Sequence, residues 1–203
     1  ADDRVGIDAE AVIALQPRAQ NPTGRSLTRA RAQELARVIR NSRTSSDVVI
    51  IEDDHSGEIS ATRDVSLGTW LPDQVIHIRS FSKSHGPDLR IAAVGGPTEL
   101  VDQLVSRRIL GPGWTSRMLQ TILLDLLTTS KSVSEVSDAR RVYRARQRRL
   151  SEALAAHGVF TPIADGVNTW IEVSDERSAV VQLAAAGIRV AADDTWSDLF
   201  GRV

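Results

Sequence analysis

Apolar residues form short continuous runs in the first half of the chain and helical stripes in the second. Ala11–Leu15 (AVIAL), Asp47–Ile51 (DVVII), Gln74–Ile78 (QVIHI) and Arg90–Val94 (RIAAV) are runs of strand length. Within Asp47–Ile51 the four residues after Asp47 are all apolar, the pattern of a strand covered on both faces. Leu27–Ile39 instead sets Leu35, Val38 and Ile39 at helical spacing among charges, with Thr28 as its N-cap. Strand, helix and strand in succession, followed by further strands, predict an α/β domain with helices covering the sheet.

Beyond residue 98 the period changes. Glu99–Leu110 and Ser116–Leu127 are amphipathic helices around the breaker Gly111–Trp114 (GPGW). Ser132 to about His157 reads as one long helix, with Val136, Tyr143 and Leu150 on one face and Gly158 as its stop. A strand at Val167–Val173, a helix at Glu176–Ala186 and a strand at Ile188–Ala191 then suggest a smaller α+β domain. The expected division is 1–132 and 133–203.

Composition narrows the chemistry. The chain has 203 residues, 41% hydrophobic and 25% charged, as in ordinary globular proteins. A net charge of −1 supplies no field to draw nucleic acid or an anionic membrane. There is no cysteine, hence no disulfide, thiolate nucleophile or Cys-based zinc site. His55, His77, His85 and His157 show no metal-ligand spacing, so no metal is expected. No apolar run is long enough for a membrane span, and ADDRVGIDAE lacks the basic start and apolar core of a signal peptide. A cytoplasmic protein is expected. All but two of the 25 basic residues are arginine, the exceptions being Lys83 and Lys131. Arginine cannot deprotonate to act as nucleophile or base, so a retained lysine marks a place where a primary amine is needed.

In an open α/β sheet the binding crevice lies beyond the carboxyl ends of the strands. Four polar segments stand there: Gln20–Gly24 (QNPTG), Glu52–His55 (EDDH), Ser80–His85 (SFSKSH) and, at the start of the fourth strand, Arg90. Singly, Asn-Pro-Thr-Gly is a turn, Asp53 a solvated loop carboxylate, Lys83 a surface amine and Arg90 half of an ion pair. Together they are chemically complementary groups on successive strand ends.

The segments QNPTG, IEDDHSGEI and SFSKSHGPDLRIAAVGG resemble the signatures of the class I/II aminotransferases, the fold-type-I enzymes that use pyridoxal phosphate. They are most similar to the aminotransferase-like domain of MocR-type regulators in the GntR family. The resemblance covers nearly the whole chain and implies a large domain with a mostly parallel sheet, followed by a small α+β domain. It implies that Lys83 forms the Schiff base with the cofactor aldehyde and then shuttles a proton. Asp53 would keep the pyridine nitrogen protonated, so that the ring is an electron sink. Asn21 would donate to the 3-oxygen, and Ser80, Ser82 and Arg90 would hold the phosphate. His55 stands near where the family has a tyrosine; it either donates to the same oxygen or points to solvent. His85 either lines the pocket or packs the loop. Asn168 and Trp170 would lie on the substrate-facing strand of the small domain, Trp170 as core.

Lys131, in Thr-Thr-Ser-Lys-Ser, reads as solvated surface between two helices. Arg140–Arg149 (RRVYRARQRR) holds six arginines, read as a solvated, partner-facing helix surface rather than a nucleic-acid site. The resemblance also implies that a full subunit is about twice this long. The glycine-rich phosphate turn, the aromatic that stacks on the ring and a winged helix-turn-helix would then precede the chain. The substrate-carboxylate arginine would follow it, Arg202 lacking the expected strand context. Apolar faces would be left for a homodimer to cover. Two functions share these residues: the effector domain of a transcription regulator that senses an amino compound, and a free-standing aminotransferase.

Overall fold

The computed structural model describes residues 11–42, 48–111 and 113–192. Four strands, β1 (Ala11–Leu15), β2 (Val48–Asp54), β3 (Val75–Ser80) and β4 (Ala92–Gly95), form one sheet in that order. β1–β2 and β2–β3 are parallel, with Leu15 opposite Glu52 and Asp54 opposite Arg79. β4 is antiparallel to β3, with Ser80 opposite Ala92. The start of β4 therefore lies at the carboxyl end of β3. The fourth strand begins two residues later than the apolar run suggested, and Arg90 precedes it.

Helix α1 (Arg29–Arg40) is capped by Thr28, whose Oγ1 accepts from Arg31 N at 3.2 Å. Ala32 and Ala36 are its buried residues and pack with Val48, Ile50, Leu67, Leu71 and Val75. Small side chains let the helix approach the sheet closely. Leu35 and Ile39 flank this contact, whereas Val38 is exposed. Val38 lies well off the 32–36–39 stripe, which explains its position. Val48, Val49 and Ile50 are all buried, as a strand covered on both faces requires.

The end of β2 carries fully buried carboxylates. Glu52 accepts from Leu67 N at 2.6 Å and pairs with His77 Nδ1 at 3.1 Å. That hydrogen bond raises the His77 pKa, although burial opposes it. Asp54 receives Arg18 Nη2 at 2.5 Å, Arg18 Nε at 3.2 Å, Arg79 Nη1 at 2.8 Å and Gly57 N at 3.2 Å. Burial alone would push the Asp54 carboxyl up, but these donors hold it below the usual carboxylate range.

Three helices follow the sheet: α2 (Thr98–Ile109), α3 (Arg117–Thr128) and α4 (Ser130–Ala156). Apolar side chains at the α2–α3 junction, Leu110, Trp114 and Met118 among them, are exposed. Lys131 lies in the first turn of α4 rather than between helices. It is exposed, with Glu135 at 3.9 Å. The buried residue of α4 is Gln147; Leu150 is exposed and Tyr143 half-buried. Gln147 Nε2 donates to Asn168 O at 3.1 Å, and its Oε1 accepts from Thr169 Oγ1.

The expected strands at Val167–Val173 and Ile188–Ala191 do not form. Among the described residues neither segment has a ladder partner, and only α5 (Glu176–Ala185) is regular there. Alternating apolar residues favour extended backbone, but a strand also needs a neighbour to bond to. Val167, Ile171, Val173, Ile188 and Val190 are accordingly exposed. Arg202 lies outside the described residues.

Replacing Asp54 with Asn keeps the volume but leaves two guanidiniums without their buried counter-charge. The Asp54→Asn variant of the full-length protein should lose about 3–5 kcal/mol of stability, measured by denaturant unfolding. The deficit should shrink as pH falls below 3.8, the ordinary Asp value, because the wild-type carboxyl is protonated only there.

Candidate functional site

The side-chain alternation of β2 sorts its acids. Glu52 and Asp54 face Arg18, His77 and Arg79, whereas Asp53 faces the other side of the sheet. Asp53 Oδ2 accepts from Gln16 Nε2 at 2.9 Å, and Gln16 Oε1 accepts from Asn21 N at 2.8 Å. One amide, just past β1, thus ties the carboxylate to the Asn-Pro-Thr-Gly turn. In the sequence Gln16 stands in a Gln-Pro pair that reads as no more than a turn. The available signal was a polar side chain placed where β1 ends beside an acidic strand end.

The turn is closed by Gly24 N donating to Gln20 O at 2.7 Å and by Leu27 N donating to Pro17 O at 2.7 Å. Gly24 has φ +65°, and a Cβ there would stand 2.5 Å from Ala164 Cβ and 3.0 Å from Asn168 O. Glycine is therefore required both for the left-handed backbone and for the close approach of residues 164–168. Asp165 N donates to Gly24 O at 2.9 Å.

Asn21, His55 and Lys83 line one small cavity of about 10 Å³, together with Ala19 and Asn168. Asn168 Nδ2 donates to Asn21 Oδ1. His55 does not point to solvent: it is half-buried, with Nε2 3.0 Å from Ala19 O. Its Nδ1 is buried without a partner. With Nε2–H directed at a carbonyl, neutral His55 presents Nδ1 as an acceptor, and the imidazolium would present it as a donor.

Lys83 sits in a turn where His85 N donates to Phe81 O at 2.9 Å. His85 packs edge-on against Phe81 at 5.9 Å and meets Ser84 Oγ at 2.8 Å, so it packs the loop. Burial lowers its pKa. Ser80 ends β3, and its Oγ accepts from Ser82 N at 3.3 Å. Arg90 is exposed at the same edge with φ 49°. Ala19, with φ 46°, is the other non-glycine in the left-handed region among the described residues. Such backbone costs about 1–3 kcal/mol per residue and collects at functional edges. Asp53, Ser80, Ser82 and Arg90 do not line the Asn21–His55–Lys83 cavity. Trp170 is half-buried.

Asp54, Asp64 and His77 approach within 4.8 Å of one another, a spacing that suits a cation. Arg18 and Arg79 already supply positive charge on Asp54, so the cluster is spent on ion pairs.

Residues 9–199 match the family model "Aminotransferase class I and II". The chain belongs to the class I and II aminotransferase family. Enzymes of this family depend on pyridoxal phosphate. The chain is 35% identical over 180 residues to the vitamin B6 salvage pathway transcriptional repressor PtsJ of Salmonella typhimurium, covering 88% of this chain and 41% of that protein. It is 31% identical over 143 residues to the uncharacterized HTH-type transcriptional regulator YcxD of Bacillus subtilis, covering 70% of this chain and 31% of that one. Among solved structures, aspartate aminotransferase of Thermus thermophilus with maleate matches with a TM-score of 0.75 at 22% identity, over 89% of this chain and 48% of the other. Kynurenine aminotransferase of Pyrococcus horikoshii matches with a TM-score of 0.71 at 20% identity, over 89% and 46%. The fold is therefore aspartate aminotransferase-like. The chain spans about two fifths or less of these curated relatives and under half of these solved chains. No helix among the described residues is long and apolar enough to cross a membrane.

Gly24→Ala should destabilise the protein by at least ~1 kcal/mol, seen as a thermal midpoint lowered by a few degrees, because strain and overlap act together. An unchanged midpoint would contradict the close approach at Ala164.

Proposed function

We propose that this chain is the cofactor-binding part of a MocR-type transcriptional regulator, with Lys83 as the residue that carries pyridoxal phosphate. The observation that carries the reading is the convergence of Asn21, His55 and Lys83 on one cavity, where a buried His55 nitrogen lacks a partner. The donor set fits the group: an amine for its aldehyde, a carboxylate for its ring nitrogen, hydroxyls and a guanidinium for its phosphate. When bound, the cofactor supplies a ring that draws electrons from the carbon attached to its amine partner.

The chain's own residues do the rest. Lys83 is exposed at the cavity edge and would supply the primary amine that joins the cofactor aldehyde. Asp53, with Oδ2 held by Gln16, offers its second oxygen to a protonated ring nitrogen. Asn21 and His55 would address the ring oxygen. Ser80, Ser82 and Arg90 hold the phosphate at the sheet edge.

The regulator reading rests on the relatives, one a transcriptional repressor and the other an HTH-type transcriptional regulator. In this reading residues 1–132 belong to the large domain and 133–203 to the small one. A small amino compound is the ligand, a homodimer covers the exposed apolar side chains, and DNA is bound through a segment outside this chain. The protein works in the cytoplasm. The alternative, a free-standing aminotransferase, shares the pocket residues but not those relatives. Half-transamination with a panel of amino acids, beside a DNA-shift assay on the full-length protein, separates the two. DNA binding that responds to an amino compound supports the regulator; turnover without DNA binding rejects it.

Gln16→Leu removes two hydrogen bonds that orient Asp53 and Asn21. It should weaken pyridoxal phosphate binding by up to about thirtyfold, in line with ~1 kcal/mol for each of the two hydrogen bonds. Fluorescence titration of the full-length protein measures this, with Lys131→Ala unchanged as the control.

A further inference from the structure

The six arginines of the long helix do not serve one surface. Arg141 pairs with Asp138. Arg140, Arg144 and Arg148 recur every four residues on one stripe of α4 and line a cavity of about 340 Å³. Facing them are the loop after the β2 turn and the segment 163–166, with Ile59 and Ile163 as apolar wall and Asp165 as the acidic lining residue.

Asp165 does not neutralise these arginines. Its carboxylate accepts from Ser60 Oγ at 2.5 Å, Ala61 N at 2.8 Å, Ser26 Oγ at 3.0 Å and Thr62 N at 3.3 Å. Burial would raise its pKa, but these donors hold it below the usual range, so it is ionised at neutral pH. Its acceptor capacity is committed to fastening residues 60–62 and Ser26. Among the described residues, none of the three guanidiniums has a carboxylate partner. Elsewhere this chain pairs arginines readily, as Arg18, Arg31 and Arg79 show. Three cations against one spent anion leave the cavity with a surplus of positive charge beside an apolar wall.

We propose that this cavity binds a small organic anion of charge two or more, a phosphate monoester or a dicarboxylate with an apolar body. The guanidinium forks match planar or tetrahedral oxyanions in a bidentate manner, which lysines would not. Ile59 and Ile163 receive the apolar part. The cavity is distinct from the Lys83 site, although Ile59 and Gly166 line both. The inference does not depend on pyridoxal phosphate being the cofactor.

Calorimetric titration of the full-length protein with pyrophosphate, and separately with succinate, tests it. At least one probe should bind saturably, more weakly as salt rises. Arg144→Gln/Arg148→Gln should weaken that binding tenfold or more, while the midpoint of thermal unfolding without probe stays the same, since both side chains are exposed and unpaired. Ala61→Glu, which sets a carboxylate at the rim, should give the same loss by a different route. Arg90→Gln should leave this binding in place. The proposal is overturned if neither probe binds saturably, if binding survives both cavity variants, or if it is lost with Arg90→Gln alone.

Discussion

The buried carboxylate of Asp54 is the constraint on which the rest of the structure depends. It lies at the end of the central strand pair, fully buried, between the guanidiniums of Arg18 and Arg79. Arg18 comes from the segment after β1 and Arg79 from the end of β3. One carboxylate thereby gathers three strand ends. A buried charge of this kind is tolerable only when paired and hydrogen-bonded, and Gly57 N completes the set. Since β2 alternates, committing Asp54 and Glu52 to one face leaves Asp53 on the other. The same parity puts Ser80 opposite to Arg79. The candidate site is thus the reverse face of an ion-pair network.

Much of this was legible in the chain because it is local. The runs at Ala11–Leu15, near 48–51 and near 75–78 are strands, Thr28 is an N-cap, and the polar residues after each strand do share one edge. What was not legible is carried by side chains far apart in sequence. Arg18 and Asp54 are 36 residues apart, Gln16 and Asp53 are 37, and Asp165 meets Ser60 across 105. Periodicity reports which face a residue occupies, not which partner it finds there. The strands expected at Val167–Val173 and Ile188–Ala191 failed for that reason: among the described residues neither has a neighbour to bond. The buried residue of α4 is a glutamine whose carbonyl partners lie near residue 168. His55 was open between two orientations, and only its contact with Ala19 O separates them.

The two cavities differ in charge and share a wall. One is small and mixed, with an amine, an amide and an imidazole at the sheet edge. The other is larger and cationic, on the arginine stripe of α4. Asp165 fastens the ground between them, linking Ser26 and the 60–62 loop to the residues that approach Gly24. A ligand that moved residues 163–168 would therefore be felt in both.

The central claim is that Lys83 is the one amine this arginine-rich chain keeps for its cofactor. Reducing the full-length protein with sodium borohydride in the presence of pyridoxal phosphate, then mapping the peptides by mass spectrometry, tests it most directly. The account predicts a pyridoxyl group on Lys83 and none on Lys131. A pyridoxyl group that persists on the Lys83→Ala protein, or one found equally on Lys131, would contradict it.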